Sequence, residues 1–131
     1  MIVVLDTCIL KFATFPRPDN PAALIVEPAL RGWFETWASP AMLDEDAEFL
    51  AELLPKMQVC FPLTPLAVIR HEPDNRFIEC ALAVRAHYLI TANTAPGHFD
   101  QRQYGPAKVF TPGAFVNAAA VQPLIARLAS E

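Results

Sequence analysis

Met1-Ile2-Val3-Val4-Leu5-Asp6-Thr7-Cys8-Ile9-Leu10 opens the chain, and its reading decides the rest. Ile2 to Leu5 form an apolar, mostly β-branched run without polar alternation, the pattern of a strand buried on both faces. In open α/β sheets, ligands bind in the crevice beyond the carboxyl ends of such strands. Asp6, the next residue, is thus either a functional carboxylate or a cap for the turn that follows, accepting a backbone N–H through its side-chain oxygen. The segment by itself leaves both open.

Working outward, turn and cap signals divide the chain into alternating strands and helices. Asn20-Pro21 is a cap and first-turn pair for a helix over about Ala22 to Arg31, with Pro28 as an irregularity and Gly32 as its stop. Trp33 to Ala38 reads as a short strand, and Ser39-Pro40 starts a helix to about Leu54. One strand is expected between Pro55 and Ile69. Asp74 or Asn75 can cap a helix over Arg76 to Arg85, whose Phe77, Ile78, Ala81, Leu82 and Val84 form an apolar face. Tyr88 to Thr91 is a buried strand, Lys108 to Phe110 another. Thr111-Pro112 starts a helix to about Ala119, and Pro123 to Ser130 is helical. Strand–helix alternation of this kind predicts an α/β fold, a mostly parallel sheet covered by helices with right-handed crossovers.

Length and composition bound the function. At 131 residues a single domain, 1–131, is expected. Residues are 53% apolar, yet there is no continuous apolar run of membrane-spanning length, so no membrane span is expected. The N-terminus lacks a basic, then apolar, then small-residue pattern, which makes the cytoplasm the expected compartment. A net charge of −4 with scattered basic residues argues against a DNA-coating protein, though not against a nuclease whose acidic site is loaded with cations. Cys8, Cys60 and Cys80 lack zinc-site spacing and read as buried thiols. The apolar content, with Trp33, Trp37 and Phe115 as exposed-face candidates, leads us to expect a homodimer.

Four polar positions recur in comparable places. Asp6 ends a strand, Glu45 lies near the start of a helix, Asp74 starts another, and Asn93 follows the strand that ends in Thr91. If those ends converge, three carboxylates and an amide share one small space. Two such charges 4 Å apart repel by about 1 kcal/mol in water and about 4 kcal/mol at an effective dielectric of 20, so they require a cation or a proton. Oxygen ligands favour Mg²⁺ or Mn²⁺. The competing reading is that acids at helix starts serve only as caps.

The motifs carry a resemblance. "VVLDTCIL" is similar to the opening strand of PIN domains, and "SPAMLDEDAEFL" resembles their second motif, with the glutamate on Glu45. "PDNRFIECALAVRAHYLITAN" is similar to the third and fourth, and His98-Phe99 with "YGPAKVFTPGAFV" looks like the ending of the bacterial branch that supplies toxins of toxin–antitoxin systems. Four motifs occur in order over nearly the whole chain. The resemblance implies a three-layer α/β/α, Rossmann-like domain with a five-stranded parallel sheet in the order 3-2-1-4-5. It implies a Mg²⁺- or Mn²⁺-dependent ribonuclease, with RNA as substrate and an antitoxin as partner. It carries metal binding onto Asp6, Glu45 and Asp74, and a fourth catalytic position onto Asn93. Glu45 or Asp74 would orient the attacking water, while Thr7, Thr91 and His98 would bond to the carboxylates or to phosphate.

The chain also departs from that pattern. Cys8 stands where asparagine is usual, Asn93 where many members have an acid, Ala92 where they have glycine, and His71 where an acid often lies. Glu72 replaces that acid only if it turns inward. His71, His98 and His87 read otherwise as solvated or structural side chains, and Arg70, Arg76 and Arg102 as phosphate contacts or plain surface. The departures motivate an alternative, a catalytically impaired PIN-like module that binds RNA or protein. Another metal phosphoesterase on a similar sheet is a third reading.

Overall fold

In the computed structural model, residues 1–14, 20–42, 53–63, 65–95, 97–99 and 101–131 are described. β1 (Ile2–Leu5) lies in the middle of a sheet ordered β3-β2-β1-β4-β6-β5. Its parallel neighbours are β2 (Glu35–Ala38) and β4 (Tyr88–Ile90). Val3 and Val4 are fully buried and Leu5 is 3% exposed, as an unalternated apolar run requires. β4 pairs in parallel with β6 (Ala107–Phe110), and β2 with the two-residue edge strand β3 (Gln58–Val59). β5 (Gln103–Tyr104) pairs antiparallel with β6. The sheet is therefore mostly parallel but six-stranded and mixed, where five parallel strands were expected. The extra strand returns through Gly105, whose positive φ of 57° a side chain would strain.

Helix α1 (Thr7–Ala13) starts directly after β1, with no intervening loop. α2 (Pro21–Leu30) follows the expected Asn20-Pro21 signal, Asn20 accepting from the Ala22 N–H at 3.1 Å. Residues 40–42 are helical; the rest of the helix expected to about Leu54 falls mainly on 43–52, outside the described residues, and Glu45 with it. A 3₁₀ turn at Glu72–Asp74 leads into α3 (Asn75–Ala83). α4 (Pro112–Val116) is capped by Thr111 and is shorter than expected, and α5 (Gln122–Ala129) closes the chain. α2 packs against α1, α4 and α5, whereas α3 packs on β1, β2 and β4.

Two expectations about the surface change. Phe115 is fully buried, edge-on to Phe34 and Tyr88, and so is core rather than exposed face. Trp33 is partly covered by the guanidinium groups of Arg31 and Arg127, 5.2 and 4.0 Å from its ring. Exposed apolar side chains lie instead at Val59, Phe61, Leu63 and Val68. Among the described residues no helix is long and apolar enough to cross a membrane.

Candidate functional site

Sheet register builds the first half of the site. Leu5 is paired with Ile90, so the next residues, Asp6 and Thr91, leave adjacent parallel strands side by side. Thr91, fully buried, donates its hydroxyl to Asp6 Oδ2 at 2.7 Å and accepts from the Asn93 N–H at 2.9 Å. The Asn93 amide donates to the same Asp6 oxygen at 3.3 Å. The other oxygen, Oδ1, accepts from the Cys8 N–H at 3.5 Å and caps α1. Asp6 thus caps α1 through one oxygen, and its other oxygen is held by Thr91 and Asn93. Thr7 is buried next to it at the start of α1.

Asp6 is 4% exposed. Burial raises its pKa; the Thr91 and Cys8 hydrogen bonds oppose that, and the charge of Asp74 adds to it. Asp74 is thus near enough for its charge to act on Asp6. Burial and the Asp6 charge push the Cys8 thiol up to about 12, so at neutral pH it is a thiol that accepts from the Ala92 N–H and not a thiolate ligand.

The second half of the site is built on Asp74, also 4% exposed. It occupies the N-cap position of α3, but its oxygens face two imidazoles instead of the first N–H groups of the helix. His71 Nδ1 is 3.3 Å from Oδ1 and His98 Nδ1 is 2.7 Å from Oδ2. His71 is exposed and His98 partly buried, and their rings lie in a tilted pair with centroids 4.5 Å apart. The backbone arranges this, because the His71 N–H donates to the Gly97 carbonyl at 2.7 Å and so ties the two loops together. Phe99, 1% exposed and edge-on to Phe77, anchors the second loop. Asn75, fully buried, clamps the first through bonds to the Val68 and Ile69 backbone.

His71, Asp74 and His98 could hold a metal ion, since one ligand atom from each lies within 4.8 Å of the others. Sequence reading missed this grouping, although the His71-x-x-Asp74 spacing across one tight turn was a signal for it. Glu72 does not turn inward to replace the missing acid; it bonds to Arg76 and to the Asn75 amide. Arg76 is spent on Glu72 and Glu79, which removes it as a phosphate contact. Arg70 lines a small polar cleft of about 170 Å³ beside Gly97 and His98. Arg102 and Lys108 line a larger one of about 390 Å³ with Thr94, Phe110 and Thr111. His87 is structural, accepting from the Ile2 N–H through Nδ1 at 2.9 Å.

No protein-family model, no curated protein and no solved structure significantly matches this chain.

Proposed function

We propose that this chain is a PIN-like, metal-dependent ribonuclease that hydrolyses phosphodiesters and acts as the toxin of a toxin–antitoxin pair. The observation that carries the reading is two buried carboxylates, Asp6 at a strand end and Asp74 at a helix start, with the charge of Asp74 acting on Asp6. Their burial and mutual repulsion are what a bound cation would reverse, so the residues fit a divalent ion. Support also comes from the sheet: with the antiparallel β5 set aside, the parallel strands run β3-β2-β1-β4-β6, the counterpart of the 3-2-1-4-5 order of a three-layer PIN domain.

Asp6, Asp74 and, from the sequence motif, Glu45 would hold Mg²⁺ or Mn²⁺. When bound, that cation lowers the pKa of a water and neutralises charge on the phosphate. The chain's own residues do the rest. Thr91 and Asn93 fix the Asp6 carboxylate, and His98 Nδ1, 2.7 Å from Oδ2, orients the Asp74 carboxylate. Arg102 and Lys108 supply positive charge along the neighbouring cleft for an RNA backbone. An antitoxin and a second copy of this chain are the proposed protein partners, in the cytoplasm.

One observation favours the rival reading of an impaired binding module. The Asn93 amide occupies an Asp6 oxygen with a hydrogen bond where a fourth acid would add charge and ligand capacity. Cleavage of a panel of structured RNAs with Mn²⁺ separates the two. The ribonuclease reading expects activity that Asp6→Asn abolishes; equal activity in both proteins removes the mechanism, and RNA binding without cleavage or cation binding supports the module.

A further inference from the structure

The surroundings of Asp74 differ from an all-oxygen magnesium site. Both of its oxygens are faced by imidazole nitrogens, at 3.3 Å from His71 and 2.7 Å from His98. A tetrahedral ion bound at about 2.0–2.1 Å sets neighbouring ligand atoms roughly 3.3 Å apart. The His71–Asp74 separation matches that spacing, and the His98–Asp74 pair sits at hydrogen-bond distance. All three ligand atoms lie within 4.8 Å of one another, so small side-chain shifts close the set around an ion. The arrangement is built rather than incidental. The His71 N–H to Gly97 carbonyl bond joins the two histidine loops, Phe99 pins one loop in the core, and Asn75 fixes the segment that leads to the other. His71 is half exposed, its side chain at 51%, which leaves an entry path for an ion.

We propose that His71, Asp74 and His98 form a two-histidine, one-carboxylate centre that takes a late first-row divalent cation, with Zn²⁺ as its representative, in preference to Mg²⁺. This goes beyond the ribonuclease reading by adding a second cation centre, of different chemistry, beside the Asp6–Asp74 pair, and it shares with that reading only Asp74 as a ligand. Imidazole suits zinc and its neighbours, whereas Mg²⁺ demands oxygen ligands and keeps its waters. Three protein ligands leave a coordination position open for water or a phosphate oxygen, the pattern of reactive rather than structural zinc sites.

Calorimetric titration of the full chain with ZnCl₂ and with MgCl₂ tests this. The expected result is one Zn²⁺ per chain, bound at least about 100-fold more tightly than Mg²⁺. His71→Ala should weaken Zn²⁺ by about tenfold or more, and His71→Ala with His98→Ala should abolish the site. Co²⁺ gives a second readout: visible absorption in the parent, lost in the double variant. If the double variant fails to fold by circular dichroism, the half-exposed His71→Ala carries the test alone. Equal affinity for Zn²⁺ and Mg²⁺, or Zn²⁺ binding unchanged in a folded His71→Ala protein, overturns the proposal. Tight Zn²⁺ binding without RNA cleavage under any cation sinks the ribonuclease reading and leaves this one standing. Cleavage without a Zn²⁺ preference does the reverse.

Discussion

Asn75→Ala is the substitution whose effect the structure specifies best. The side chain is fully buried and makes four hydrogen bonds. Its oxygen accepts from the Val68 and Ile69 N–H groups at 3.0 and 2.9 Å, and its amide donates to the Ile69 carbonyl at 3.0 Å and to Glu72 at 2.8 Å. Truncation leaves the Ile69 N–H and carbonyl buried without those partners, at about 1–3 kcal/mol each, while the Val68 N–H and the exposed Glu72 carboxylate can turn to water and cost less. The sum is about 4 kcal/mol, a large share of the roughly 5–15 kcal/mol that holds a domain folded. For a chain of this length that lowers the melting temperature by roughly 10 °C or more. Urea denaturation of parent and variant measures it directly. Asn75→Asp is the comparison: it keeps both acceptor bonds, loses the donor to Ile69 and sets a second negative charge beside Glu72. A loss below about 1 kcal/mol in Asn75→Ala would mean that ordered water replaces the amide, and the clamp on the loop carrying His71 and Asp74 would have to be abandoned.

Other consequences concern charge and thiols. Burial raises the Asp6 pKa above the ordinary 3.8, so the group is protonated in both folded and unfolded chains below that value and ionises first in the unfolded chain as pH rises. Without added cation, the stability of the parent should therefore fall relative to Asp6→Asn from pH 3.8 upward until the raised native pKa is passed; paired denaturation curves showing a pH-independent difference contradict this. Millimolar Mn²⁺ should raise the melting temperature of the parent more than that of Asp6→Asn, which keeps the His71, Asp74 and His98 ligands but loses the Asp6 carboxylate. Cys8 is held as a thiol with a pKa of about 12, and burial with the neighbouring Cys60 pushes Cys80 up as well. An aromatic disulfide reagent at neutral pH should label the native protein slowly and all three cysteines after denaturation; immediate labelling of Cys8 would show that its surroundings are more open than described.

Local signals were legible where a physical rule ties one residue to its near neighbours. The unalternated Ile2–Leu5 run announced a central strand, and Asn20-Pro21 and Thr111-Pro112 announced two helix starts. Asp6 and Thr91 were foreseeable as neighbours because both follow buried strands that a parallel sheet sets side by side. The Thr7–Ala13 helix was not foreseen, since its Cys8-Ile9-Leu10 run reads equally well as strand continuation. β5 escaped because two residues carry no period, and its place depends on a hairpin closed through Gly105. Phe115 was misplaced because aromatic content does not say which face is covered, and Phe34 and Tyr88 cover it from distant parts of the chain. The approach of His98 to His71 rests on a backbone bond between two loops, a long-range contact that no local spacing encodes.

Anomalous diffraction from crystals soaked in Mn²⁺ tests most directly whether Asp6 and Asp74 share a cation. The expected result is an anomalous peak bonded to both carboxylates at about 2.0–2.2 Å, with Thr91 and Asn93 still holding Asp6. Ordered carboxylates with no peak between Asp6 and Asp74 at millimolar Mn²⁺ would contradict it, and a peak confined to His71, Asp74 and His98 would leave the two-histidine centre standing without Asp6.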